Sequence, residues 1–322
     1  MTIRYSTVGI VGTGAMGRGI AQIAAQAGST VQLFDLNPEA CRQAHAAIAA
    51  QWDKLQDKGR IDAATADAYK TRLQTAASLG ELHNCDLVVE AAVERLDIKQ
   101  SLFAQLEDIV RPDAVLVTNT SSLSVTAIAA GLKRPAQFAG YHFFNPVPLM
   151  KVVEVIAGLK TDAAVCAGLT EYARQMGHTP VQAQDTPGFI VNHAGRAYGT
   201  EALRIVSEGI TDFATVDRIL KDQVGFKLGP FELMDLTGLD VSHPVMESIY
   251  RQYYDEARYR PSVITAQRLA GGVLAKRPAK VFTSTSKVCS NTRQNLPRPM
   301  WRKCPPSGCR HAHHAVRNCC SC

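Results

Sequence analysis

The chain has 322 residues, enough for about two domains. Its 46% apolar and 20% charged residues exclude a collagen-like or globally disordered chain. No window approaches the ~20 apolar residues of a membrane-spanning helix. A strand-like run from Thr7 leaves no room for a signal peptide, so a cytoplasmic protein is expected. The formal charge of +6 is uneven. Residues 277–322 hold nine Lys/Arg and no acid, leaving 26 basic and 29 acidic groups elsewhere, a net −3. Six of nine cysteines also lie from Cys289 onward. The body reads as a mildly acidic protein of a reducing compartment.

In chain order, Thr7–Val11 is a short apolar strand, a Gly-rich turn follows, and Ala15–Ala27 is a helix former. Thr30–Asp35 is a second strand, and Pro38 opens a helix running to about Leu55. A further helical stretch covers Asp62–Leu73. Asp86–Glu90 and Ala114–Thr118 read as buried strands flanking the helix Leu96–Ile109, and Phe138–Phe143 and Val152–Ile156 as later strands. This alternation predicts an α/β fold, a Rossmann-like doubly wound and mostly parallel sheet. Past Thr186-Pro187-Gly188 the pattern is helical only, over Phe189–Ser207, Thr215–Val224 and Phe231–Tyr254. The predicted domains are 1–187 and an all-helical 188–274.

Gly12, Gly14 and Gly17 form G-x-G-x-x-G with Ala15 and Met16 between them, after a strand and at a helix start. Asp35 ends the next strand. Gly12 permits the tight turn, Gly14 lets a pyrophosphate approach, and Gly17 lets helix and strand pack closely. A carboxylate at Asp35 binds ribose hydroxyls and repels a 2′-phosphate, so NAD is the expected cofactor.

Three polar stretches interrupt apolar surroundings. Asn119-Thr120-Ser121-Ser122 follows a buried strand, where ligands sit in such sheets. His142 lies among aromatic residues, and Glu154 interrupts an apolar run. A buried carboxylate needs a partner. His142 supplies one, and the pair makes a general base for a hydroxyl proton. Ser121 and Asn192 would hydrogen-bond the same substrate oxygen. Taken singly, His142 also fits a satisfied core histidine, and Glu154 an edge-strand carboxylate facing solvent. His45 and His83 read as surface positions, His178 and His243 as neighbours of loops, and His193 as facing outward. No metal-ligand spacing occurs in the body, nor any basic run with interleaved aromatics for nucleic acid.

Longer motifs carry a resemblance. GTGAMG at 12–17, EAAVERLDIKQSLF at 90–103, NTSSLS at 119–124, HFFNPVPLMKVVEV at 142–155, DTPGFIVN at 185–192 and GPFELMDLTGLD at 229–240 resemble the L-3-hydroxyacyl-CoA dehydrogenases of fatty-acid β-oxidation. The resemblance spans about Thr7 to Leu274. It implies an acyl-CoA substrate, with His142 as base, Glu154 as its partner, and Ser121 and Asn192 at the substrate. It implies NAD contacts from Asp35, Glu94, Lys99, Asn119 and Asn145. It implies CoA contacts from Lys58 or Arg60, and a homodimer formed through the helical domain around Phe231–Leu239. Residues 257–274 look most like bacterial enzymes of short or dicarboxylic acyl-CoA, the 3-hydroxybutyryl-CoA and 3-hydroxyadipyl-CoA types. Two rivals are a non-catalytic NAD-binding protein, either a relative or a chain inactivated by its tail, and a dehydrogenase of free β-hydroxyacids, a group that uses a lysine as base.

The resembled family continues after Leu274 with a pattern like GKKTGKGFYxY. Here the chain reads AKRPAKVFTST. Deleting one G after the leucine codon of a sequence encoding LGKKTGKGFYVY gives LAKRPAKVFTST. Residues 275–322 are therefore expected to be an out-of-frame, disordered tail. Cys304, Cys309, His311, His313, Cys319 and Cys322 are able zinc ligands, but their spacing matches no finger, and no metal is expected. Resequencing across codons 274–284 should restore the lost G; an unbroken frame on both strands would refute the deletion.

Overall fold

The computed structural model describes residues 3–274 and Phe282. The first part follows the strand–helix order β1 (Thr7–Val11), α1 (Ala15–Ala27), β2 (Thr30–Phe34), α2 (Pro38–Asp57), α3 (Ala63–Thr71), β3 (Leu73–Thr75), β4 (Leu87–Glu90), α4 (Leu96–Ile109) and β5 (Val115–Thr118). It continues with α5 (Val125–Ala129), β6 (Phe138–Phe143), β7 (Val152–Ala157), α6 (Ala163–Gln175) and β8 (Thr179–Gln184). Local chemistry sets several boundaries. Asn37 caps α2 by accepting from the Glu39 N–H at 3.0 Å, with Pro38 in the first turn. Such a cap satisfies an N–H that the helix itself leaves unpaired.

The eight strands lie in the order β3-β2-β1-β4-β5-β6-β7-β8. All neighbours are parallel except β6 and β7. The sheet is thus mostly parallel and Rossmann-like, as expected. Strand order reverses between β1 and β4, which creates a crevice at their carboxyl ends. Strands β4, β5 and β6 are buried throughout, consistent with helices on both faces. One core packs Ile20, Trp52 and Tyr172 against one face. A second packs Phe103, Leu106 and Ile128 against the other.

Four elements of this part escape the sequence reading: β3, α5, α6 and β8. Strand β3 is three residues at the sheet edge. Strand β8 is largely polar and carries Pro180, which an edge strand tolerates.

The second part is helical: α7 (Val191–Ala194), α8 (Arg196–Ser207), α9 (Phe213–Asp222), α10 (Pro230–Thr237), α11 (Leu239–Gln252) and α12 (Val263–Ala270). Two expected long helices are each broken. Phe189–Ser207 divides at Gly195, and Phe231–Tyr254 divides at Gly238, whose φ of +84° does not continue a helix. No helix among the described residues is long and apolar enough to cross a membrane.

The helical core gathers Leu203, Phe231, Met234 and Leu239. Phe282 completes it. Its ring lies 5.1 Å from that of Phe213 and 5.3 Å from that of Phe231, with the Arg268 guanidinium 4.8 Å away. Its N–H donates to Asp235 at 3.1 Å. In the pattern LGKKTGKGFYVY, counted from Leu274, the phenylalanine falls on this same position. The zinc-ligand candidates of the tail lie outside the described residues. Phe282→Ala should lower unfolding free energy by about 3 kcal/mol, read from denaturant midpoints; a loss under about 1 kcal/mol would show that this ring is dispensable.

Candidate functional site

The Gly-rich turn joins β1 to α1. Gly12 has φ +93°, and a Cβ there would meet the Ala91 carbonyl oxygen at 2.7 Å. A Cβ on Gly17 would sit 1.9 Å from the Gly12 carbonyl oxygen, so helix and strand close only around glycine. Gly14 faces open space and offers no side chain to cap α1. The first N–H groups of α1 therefore point from an exposed, uncapped end, which suits a phosphate. Asp35 stands just past β2. Its Oδ2 accepts from the Thr13 N–H at 2.8 Å and hydroxyl at 2.9 Å, and its Oδ1 from the Asn37 N–H at 3.0 Å. Burial pushes its pKa up, but the donors from Asn37 and Thr13 outweigh that and hold it below the usual range. An ionised carboxylate beside an uncapped helix fits the ribose and pyrophosphate of NAD.

His142 and Glu154 face each other directly across the antiparallel β6/β7 pair. Nδ1 of His142 lies 2.6 Å from Oε2 of Glu154. Glu154 is fully buried and His142 nearly so. The solvent-facing alternative for Glu154 is therefore excluded. Its other oxygen accepts the N–H groups of Ile190 and Val191, each at 2.9 Å. Burial raises the Glu154 pKa, while the contact with His142 and these two N–H groups lower it further, for a net depression. An ionised Glu154 keeps the proton on Nδ1, leaving Nε2 with its lone pair. Phe144 and Phe189 flank the imidazole at ring distances of 4.5 and 5.8 Å. Phe189 holds a left-handed backbone, φ +50°, a conformation unusual for a bulky residue.

The loop after β5 is fixed from below. Oε1 of Glu94 accepts from the Thr120 hydroxyl (2.6 Å), the Ser121 N–H (3.0 Å), the Ser122 N–H (3.2 Å) and the Ser122 hydroxyl (3.1 Å). Burial raises the Glu94 pKa, and the charge of Lys99 together with these donors lowers it overall. Asn119 accepts from the Phe143 N–H at 2.9 Å, tying the loop to β6. Asn192 Nδ2 donates to the Ser121 carbonyl at 3.1 Å.

A cavity of about 650 Å³ opens between sheet and helices. Met16, Glu94, Asn119, Ser121, His142, Asn145 and Asn192 all line it. Lys99 does not. It is 1% exposed, with Nζ 2.5 Å from Glu90 and 3.3 Å from Glu94. It therefore stands behind Glu94 rather than at the surface. Lys58 and Arg60 are exposed at the end of α2 and do not reach the cavity.

Sequence reasoning missed Glu90, which is wholly buried and also accepts from the Thr118 hydroxyl at 2.6 Å. The signal was there: an acid closing an apolar strand, nine residues before a lysine. His193 was expected to face outward. It instead bonds the Tyr253 hydroxyl at 2.8 Å and packs between Tyr253 and Tyr259. His178 is buried between the Met176 and Val147 carbonyls, and His243 meets the Thr265 hydroxyl. No cluster of three metal-ligating side chains occurs among the described residues.

A Rossmann-like sheet with a dinucleotide turn and an uncapped α1 sets a dinucleotide-binding fold beside a buried His–Glu pair in one cleft. Comparison with known proteins gives the family. A sequence model described as 3-hydroxyacyl-CoA dehydrogenase, NAD binding domain, matches residues 7–186, and one described as the C-terminal domain matches 188–284. The chain belongs to the 3-hydroxyacyl-CoA dehydrogenase family. It is 43% identical over 277 residues to the Escherichia coli protein named 3-hydroxyadipyl-CoA dehydrogenase, covering 86% of this chain and 58% of that one. It is 39% identical over 277 residues to a probable 3-hydroxybutyryl-CoA dehydrogenase of Deinococcus radiodurans, covering 85% and 98%. The crystal structure of (S)-3-hydroxybutyryl-CoA dehydrogenase from Ralstonia eutropha superposes with TM-score 0.82 at 35% identity, covering 87% and 99%. This chain thus spans little more than half of the E. coli relative.

Glu154 has a depressed pKa when folded, so its contribution to stability is complete above the unfolded value near 4.3. That contribution is lost as pH falls through the lower folded value. Unfolding free energy should therefore drop more steeply in the wild type than in Glu154→Gln between about pH 5 and pH 3. Parallel curves would show that Glu154 gains nothing from folding.

Proposed function

We propose that the chain catalyses the reversible, NAD-dependent oxidation of an (S)-3-hydroxyacyl-CoA to the 3-ketoacyl-CoA. The observation that carries this reading is the His142–Glu154 pair facing a cleft that also holds Asn192 and Ser121. Bound NAD supplies the acceptor for the hydride from C3. The residues do the rest. The α1 N-terminus would hold the pyrophosphate, and Asp35 would hold the ribose. Glu94 holds the Thr120–Ser122 loop at the cleft. Lys99 acts through Glu94 as a positioning residue. Nε2 of His142 removes the hydroxyl proton, and Glu154 balances the charge that develops on the ring. Ser121 and Asn192 orient the reacting oxygen.

Against a free β-hydroxyacid dehydrogenase, no lysine among the described residues lines this cavity. Against a non-catalytic relative, a wholly buried carboxylate holding an imidazole is costly without a use. We read 1–187 as the NAD-binding domain, 188–274 as the helical domain and 275–322 as out of frame. The two matches that break between residues 186 and 188 support the first boundary. We also read the protein as a cytoplasmic homodimer. Phe231, Met234 and Leu239 belong to the intramolecular core, but Leu236 remains exposed on α10 and can meet a second copy.

With acetoacetyl-CoA and NADH, followed by loss of NADH absorbance, His142→Ala should reduce turnover by about 10²–10⁴-fold while retaining NADH binding. Near-normal turnover in that variant would remove His142 from the mechanism, and an inactive wild type would favour the non-catalytic reading.

A further inference from the structure

Arg196 is the first residue of α8 and faces the same cavity as His142. No other Lys or Arg lines that cavity among the described residues. Its Nε donates to the Asn192 carbonyl at 3.3 Å, which aims the guanidinium from one turn beyond a substrate-side asparagine. No carboxylate of the described residues pairs with it. Burial lowers its pKa, and no neighbouring charge offsets that. Glu94 is held by Lys99 and the Ser121 loop, and Asp240 on the cavity wall has a partner of its own.

A half-buried guanidinium with no anion is poorly satisfied. It becomes favourable when a ligand brings the anion, because the planar fork matches a carboxylate in two parallel hydrogen bonds. The neighbouring wall is apolar, with Leu233 and Met234, and suits methylenes. One fork in a cavity with no second cation fits a single carboxylate. It does not fit the several phosphate charges of CoA.

Resting on the reaction proposed above, we infer that Arg196 is a specificity-determining residue that binds a carboxylate at the far end of the acyl chain. The preferred substrates are then dicarboxylic 3-hydroxyacyl-CoA thioesters, with the methylenes on the apolar wall. Arginine at this position gives the cleft a length requirement as well as a charge requirement, since the carboxylate must reach the fork while C3 stays at His142.

The test compares 3-oxoadipyl-CoA with 3-oxohexanoyl-CoA, equal six-carbon chains that end in carboxylate or methyl. In the full chain, kcat/KM should favour 3-oxoadipyl-CoA. In Arg196→Met the ratio of the two should fall by about 10–100-fold, and in Arg196→Lys by less. Dissociation constants of adipyl-CoA and hexanoyl-CoA, measured by calorimetry, should shift in the same sense. An unchanged ratio, an equal loss for both substrates, or a wild-type preference for the methyl end would overturn the assignment. If the wild type turns over neither substrate nor acetoacetyl-CoA, the reaction itself is wrong, and the calorimetric ratio still decides what Arg196 binds.

Discussion

A carboxylate with no access to water sits in the middle of a β-strand, and the site is arranged around satisfying it. Glu154 is fully buried, a position that is very costly for an uncompensated charge. Compensation comes from three directions: the His142 ring across the strand pair and two backbone N–H groups from the start of α7. This depends on β7 running antiparallel to β6, the one such pairing in the sheet. In that register residues 142 and 154 lie face to face with side chains on the same side of the sheet. A one-residue slip of β7 would turn Glu154 to the other face, away from His142.

A second charged layer lies beneath the cleft. Glu90, Lys99 and Glu94 connect the ends of β4 and β5 to the first turn of α4. Lys99 neutralises two acids at once, and each acid spends its remaining lone pairs on hydroxyl or N–H donors. The effect is rigidity. The serine loop is held by a fixed carboxylate oxygen with four donors, so Ser121 meets the cleft with little freedom to lose on binding. The crevice between β1 and β4 and the loop after β5 are thus parts of one frame.

Much of this was legible in the sequence because it rests on local rules. Strand, glycine turn, helix and the closing Asp35 are separated by fixed short distances, and long motifs in order carried the family. The His142–Glu154 pair was legible as chemistry, since an acid inside VVEVI needs a partner, yet the pattern alone left a solvent-facing edge equally open. What escaped depended on tertiary neighbours. Strand β8 exists because β7 offers it an edge, despite Pro180 and polar side chains. His193 looked outward until Tyr253 and Tyr259, some sixty residues away, were folded over it. Lys99 was expected to touch NAD because nothing in ERLDIK shows that Glu90 draws its ammonium inward. The unpaired state of Arg196 is invisible in sequence, since it is a statement about what is not nearby.

Glu154 also has a mechanical role. One oxygen grips the proposed base, while the other grips the backbone where the chain leaves the sheet for the helices, beside Gly188 and the left-handed Phe189. A change of charge on the imidazole alters the charge density on the carboxylate and hence its hold on residues 190 and 191. By reciprocity, any shift of those residues acts back on the ring through the same carboxylate. The placement of residues 190 and 191 and the orientation of the His142 ring are therefore joined through one side chain.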